Sequence, residues 1–172
     1  LVLKRLIEHC RKEHLRCVVF THLSSLCGVP AIHNIFQQCG VHAWQANGPP
    51  AWPFERYAYV DSLQQREVFA AQEDAFNNGE TAFLLARDMS EGVQFEHVQL
   101  MVITEPTGSA VTWVQEIARV ARLKTYQGER AYDLEQPPGY AAKVPHVVQL
   151  VSQGPAPGAW ARGIATAFGL VA

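Results

Sequence analysis

Four short runs decide what this chain can become. Residues 17–20 (CVVF), 81–86 (TAFLLA), 99–104 (QLMVIT) and 146–151 (HVVQLV) are compact stretches dominated by aliphatic and β-branched side chains. The unbroken apolar run of residues 17–20 suits a strand buried on both faces, because a strand with one wet face would alternate. Between the runs, side chains suited to burial recur at helical spacing. Leu3, Leu6, Ile7 and Cys10 form one set, and Ile32, Ile35, Phe36 and Cys39 a second. Val68, Phe69, Ala71, Gln72, Ala75 and Phe76 would supply the buried side of a third helix. Strands alternating with helices predict an α/β fold, an open parallel sheet flanked by helices on both faces.

The punctuation fits that plan. Gly28, Val29 and Pro30 would open the second helix, with proline in its first turn, and Gly40 would end it. Residues 41–44 predict a further strand. Residues 47–54 (NGPPAWPF) contain three prolines and a glycine, which predicts a loop. Trp52, Phe54, Tyr57 and Tyr59 make that region aromatic. Such side chains either pin a loop to its domain or offer a platform for stacked bases, and pinning is the commoner use. Asp61 and Ser62 stand where a helix over 63–77 would be capped, with Gln65 as the capping-box partner of Ser62. Residues 127–143 predict irregular chain, and 159–168 a closing helix.

A chain of 172 residues with 48% apolar side chains can bury one full core. Its net charge of −2 argues against a broad surface for polyanions, so any grip on phosphate must be local. No apolar run reaches the roughly 20 residues that span a bilayer, and no membrane partner is expected. The opening LVLKRLIEHC reads as a helix cut from a longer chain, so the sequence is expected to be a fragment. Cys10, Cys17, Cys27 and Cys39 show no CxxC spacing. Reduced thiols and an intracellular location are expected. A metal site shared with the neighbouring histidines is the lesser alternative, and no metal ligand is assigned.

Residues 112–126 (TWVQEIARVARLKTY) read as a helix with two faces. At about 100° per residue, Gln115, Arg119 and Arg122 share an arc of roughly 60°. Trp113, Val114, Ile117, Val120 and Ala121 fall on the other side. A rigid helix would therefore present two guanidiniums and an amide together, as planar recognition of phosphate requires. A solvated surface helix is the plainer alternative.

Three stretches in order carry a family resemblance. FLLARDMSEGVQF (83–95), VQLMVITEP (98–106) and QEIARVAR (115–122) resemble motifs V and VI of superfamily 2 helicases and translocases. RCVVFTHL (16–23) resembles motif IV, and Arg66 with Ala75-Phe76-Asn77 matches the helix that precedes motif V. The form Ser90-Glu91-Gly92 is most similar to the transcription-associated ATPases of poxviruses and other large DNA viruses. The resemblance covers residues 1–126, and residues 127–172 would be a family-specific extension within a single domain.

The resemblance implies a RecA-like second lobe whose N-terminal partner lobe, in the same protein, binds ATP and Mg2+. This chain has no GxxxxGK[ST] phosphate loop, and its Glu73-Asp74 pair lies mid-helix, so isolated ATPase activity is not expected. By resemblance, Arg122 is the arginine finger, Arg119 the γ-phosphate sensor and Gln115 their orienting amide. Gly92 and Glu91 would line the nucleotide cleft. Thr21, His22, Arg87 and Ser90 would meet DNA, with RNA the alternative. Two positions depart from the pattern: Ala118 replaces a glycine, and Arg87 occupies a place usually held by threonine. They keep open a degenerate helicase-like binding module without hydrolysis. A two-lobed transferase is the third and weakest reading.

Overall fold

The structure, a computed structural model, describes residues 2–24, 28–88, 95–105, 115, 117, 125–126, 129–130 and 146–150. Helix α1, Val2–Glu13, buries the stripe Leu3, Ile7 and Cys10. It leads into strand β1, Cys17–Thr21, whose five residues are all buried. Helix α2, Val29–Gln38, carries proline in its first turn and buries Ile32 and Phe36. It ends in a Schellman motif. The Val41 N–H reaches the Phe36 carbonyl at 2.9 Å and the Gly40 N–H reaches Gln37 at 2.9 Å. That turn needs the left-handed backbone of Gly40, φ +69°.

Strand β2, His42–Ala43, follows, then a single 3-10 turn at Pro53–Glu55. The next element corrects the sequence expectation. Arg56–Asp61 is strand β3, a central member of the sheet, and Tyr57 and Tyr59 belong to it rather than to the preceding loop. Helix α3 spans Arg66–Asn77, not 63–77, and Gln65 at its cap makes no side-chain cap bond. Ser62 is therefore not the cap. Val68 is 47% exposed, so the buried side of α3 is narrower than expected and centres on Ala75 and Phe76.

Strands β4, Phe83–Arg87, and β5, Leu100–Ile103, are fully buried runs. Thr125 and Tyr126, expected to end the helix over 112–126, instead form strand β6, which pairs antiparallel with β7, Glu129–Arg130, in a stretch expected to be irregular. Strand β8, His146–Gln149, completes the main sheet. The expected closing helix at 159–168 lies outside the described residues.

Six strands pair in the order β2-β3-β4-β1-β5-β8, all parallel. Alternate residues divide the core into two halves. On one face Val19, Tyr57, Leu85 and Val102 pack with Leu3 and Ile7 of α1 and Phe36 of α2. On the other, Phe20, Val60, Leu84 and Met101 pack with Phe76 of α3, and Ile117 joins them. This is the expected open parallel α/β sheet with helices on both faces. After β1 the chain crosses to the far edge, returns through β3 and β4, and then places β5 on the other flank of β1. At that reversal lie the carboxyl ends of β4, β1 and β5, the edge at which sheets of this kind bind ligands.

Candidate functional site at the carboxyl edge of the sheet

Register builds the site. Asp61, Arg87 and Thr21 pair across β3, β4 and β1 as one row, the last before the sheet ends. Residues paired in a parallel ladder point to the same face, so these three polar side chains stand side by side. They are nevertheless buried: Thr21 is 0% exposed, and Asp61 and Arg87 are each 8% exposed.

Arg87 donates from Nε to Asp61 Oδ2 at 2.7 Å and from Nη2 to Asp61 Oδ1 at 2.8 Å. This is the bidentate fork in which guanidinium and carboxylate geometries match. Tyr59, one row below, donates its hydroxyl to Asp61 Oδ2 at 2.5 Å. The Leu63 N–H adds a bond to Oδ1 at 2.9 Å. Burial pushes the Asp61 carboxyl up. The Arg87 fork, the Tyr59 hydroxyl and the Leu63 N–H outweigh that and leave it below its ordinary value. The same contacts raise Arg87, and burial together with the Asp61 bond raises the Tyr59 phenol well above its usual range. His33 of α2 braces Tyr59 edge-on at 5.2 Å between ring centres.

A second network centres on Glu105, just past β5. The Thr21 hydroxyl lies 3.1 Å from both of its carboxylate oxygens. The His22 backbone N–H and the Thr104 hydroxyl also donate to it. Thr21 Oγ1 in turn accepts the Leu23 N–H at 3.1 Å. The His22 ring rests edge-on against Phe20 with centroids 4.9 Å apart, and its Nδ1 lies 4.0 Å from Asp88 Oδ1. Asp88 itself holds a left-handed backbone, φ 45°. Of the charged side chains joined in these contacts, Asp61, Asp88 and Glu105 are acidic and Arg87 is basic. Among the described residues the edge is polar without being a cationic surface.

The expected site residues divide accordingly. Thr21, His22 and Arg87 come together at one edge. Gln115 is helical and exposed, whereas Ile117 is half-buried against the α3-side core, so the expected division of faces holds at these two positions. Ser90, Glu91, Gly92, Arg119 and Arg122 lie outside the described residues. The sequence reading missed Asp61, Tyr59 and Glu105. Asp61 is the last residue of β3 and Glu105 stands two residues past β5, and neither position is marked in the sequence by a motif. The aromatic loop lies elsewhere: Trp52 and Phe54 pack at 5.1 Å, and Phe54 meets Phe83 at the amino end of β4. Cys10, Cys17 and Cys39 are free, buried thiols, and no metal-binding cluster of three or more His, Cys, Asp or Glu occurs among the described residues.

Comparison with known proteins follows the same outline. Residues 2–124 match the model of the helicase conserved C-terminal domain. No curated protein matches the sequence. Among solved structures, the chain is similar to the C-terminal part of the Fun30 ATPase domain, with TM-score 0.63 and 10% identity over 88% of this chain. It spans 40% of that structure's length. It is also similar to the C-terminal domain of S. cerevisiae Dbp5 bound to Gle1 and IP6, with TM-score 0.55 and 10% identity. That match covers 98% of this chain and 82% of the other. At such identities the structural likeness establishes the fold alone.

Proposed function

The chain belongs to the helicase conserved C-terminal domain family, and from that premise we propose that it is the second motor lobe of an ATP-driven superfamily 2 helicase or translocase. One observation carries the reading from family to site: Thr21, His22 and Arg87 converge on the carboxyl edge at the sheet's reversal. Gln115 adds support as an exposed residue on a helix anchored through Ile117. On helical spacing, Arg119 and Arg122 share the side of Gln115.

The division of labour follows from the chemistry of phosphoryl transfer, which asks for positive charge at the developing equatorial oxygens. Arg122 would serve as the finger and Arg119 as the γ-phosphate sensor, with Gln115 orienting both and Gly92 and Glu91 lining the cleft. Arg87 is committed to Asp61, and the sequence has no phosphate loop. ATP and its Mg2+ would accordingly be held mainly by an N-terminal lobe. Nucleic acid, DNA or RNA, would lie along the edge of Thr21, His22, Arg87 and Ser90. With three carboxylates there, the described residues offer its phosphates no basic patch, and the partly exposed His22 ring would be the contact. The Ser-Glu-Gly form of motif V further allies this lobe with the transcription-associated ATPases of large DNA viruses.

The test is Arg122→Ala in the protein carrying both lobes. Turnover should fall by about 10³-fold or more while the melting temperature holds. Turnover within tenfold of wild type would remove Arg122 from its role. The Asp61–Arg87 pair favours a second reading, a helicase-like binding module without hydrolysis, because it occupies the guanidinium at a departure from the family pattern. An intact phosphate loop in the preceding lobe would exclude it.

A further inference from the structure

We infer that Glu105 is a positioning residue, which fixes the exit of β1 against the exit of β5 and so couples the nucleic-acid loop to the hydrolytic helix. The inference rests on the motor-lobe reading. Its physical basis is the concentration of donors on one carboxylate. An ionised carboxylate offers about four acceptor sites. Here the Thr21 hydroxyl, the His22 N–H and the Thr104 hydroxyl all turn to it. Two of these donors belong to the end of β1 and the third to the end of β5. The Thr104 N–H meanwhile bonds the Phe20 carbonyl at 3.0 Å, so backbone and side chain lock the same two strands at the same level.

Thr21 has its one hydroxyl proton directed at Glu105 and accepts the Leu23 N–H, and it is fully buried. It therefore acts through Glu105 rather than by touching a ligand. The residue that the clamp presents is His22. Its backbone is held by Glu105, its ring by Phe20, and Asp88 lies beside it. In sequence Glu105 stands between the β1-exit residues it holds and the stretch that carries Gln115, Arg119 and Arg122. A carboxylate occupied on this scale has little capacity left for proton transfer, which separates positioning from acid–base chemistry.

Glu105→Gln in the two-lobed protein tests the coupling. Glutamine keeps the shape but replaces one acceptor oxygen by an NH2 group, which would oppose the donors of Thr21 and Thr104. The concentration of single-stranded DNA or RNA giving half-maximal stimulation of ATP hydrolysis should rise tenfold or more, while the KM for ATP stays within twofold. Amide hydrogen exchange should accelerate at His22 and Leu23 and stay unchanged at Val18 and Val19. Glu105→Asp, which keeps the charge but loses reach, should move both readouts in the same direction by less. An unchanged half-maximal concentration overturns the inference. So does a parallel loss of both parameters with faster exchange throughout β1, which would make Glu105 a plain structural staple. A wild-type protein that shows no nucleic-acid-stimulated hydrolysis would instead overturn the motor-lobe reading, and this inference with it.

Discussion

Asp61 and Arg87 show how a single pair can set the character of an edge. Two ions taken from water lose several kcal/mol of hydration each, and only close geometry with further hydrogen bonds returns it. The fork at 2.7 and 2.8 Å supplies that geometry, and Tyr59 and Leu63 supply the further bonds. Removing one partner strands the other. Arg87→Met or Asp61→Leu alone should each cost about 3–5 kcal/mol, and the double variant should recover most of the loss. Urea denaturation of all four proteins would show this, and additive losses would refute the pairing. The pair also dictates an acid response. Asp61 titrates below its ordinary value in the folded chain, so its contribution is complete above about pH 4, the ordinary carboxylate range. It disappears as pH falls through the lowered value. Asp61→Asn should therefore flatten the loss of urea midpoint as pH falls below about 4. Neither Asp61 nor Glu105 was legible as a site residue in the sequence. Each acquires its role from partners far along the chain, which only the register of the sheet brings near.

At the level of elements, legibility followed hydrophobic continuity. Strands β1, β4 and β5 read directly, because all of their residues are buried and the run of apolar side chains announces it. Strand β3 did not. Its RYAYVD sequence contains one aliphatic β-branched residue and follows a proline-rich loop, so its two tyrosines looked like loop ornaments. They are in fact on the α2 face, where Tyr57 stacks on Phe36 at 4.5 Å. The connection over 47–62 had become implausibly long for a compact domain, and that length was the missed warning. The β1–α2 connection makes its own prediction. A Cβ on Gly28 would stand 2.0 Å from the Leu23 carbonyl oxygen, a backbone atom that cannot simply swing aside. The same carbonyl accepts the Val29 N–H at 3.1 Å, which ties the strand exit to the helix start. Gly28→Ala should cost about 1–3 kcal/mol by overpacking. It should also quicken amide exchange at Val29. A melting temperature equal to wild type would contradict the close approach.

Across the whole molecule, the parallel sheet explains why a site residue on one strand and a site residue some 60 to 80 positions later can share an edge: every strand ends on the same side. The order of elements was enough to foretell that architecture, and helical spacing was enough to foretell that Gln115 and Ile117 face different ways. The same architecture limits what the lobe can do alone. The described edge presents carboxylates and one guanidinium already committed to Asp61, and nothing in the sequence supplies a phosphate loop. Among the described residues of that edge, no lysine joins these contacts to spread the charge of a triphosphate. On the proposed reading, positive charge from Arg119 and Arg122 would lower a barrier only if the γ-phosphate were first held in line with its attacking water, a task of positioning assigned there to an N-terminal lobe. Single-turnover ATP hydrolysis by this chain alone should accordingly be indistinguishable from buffer. It should appear when the chain is joined to the N-terminal lobe proposed above, and Arg122→Ala should remove it again. Hydrolysis by the isolated chain would mean that the two-lobe division is mistaken and that a complete nucleotide site exists within these 172 residues.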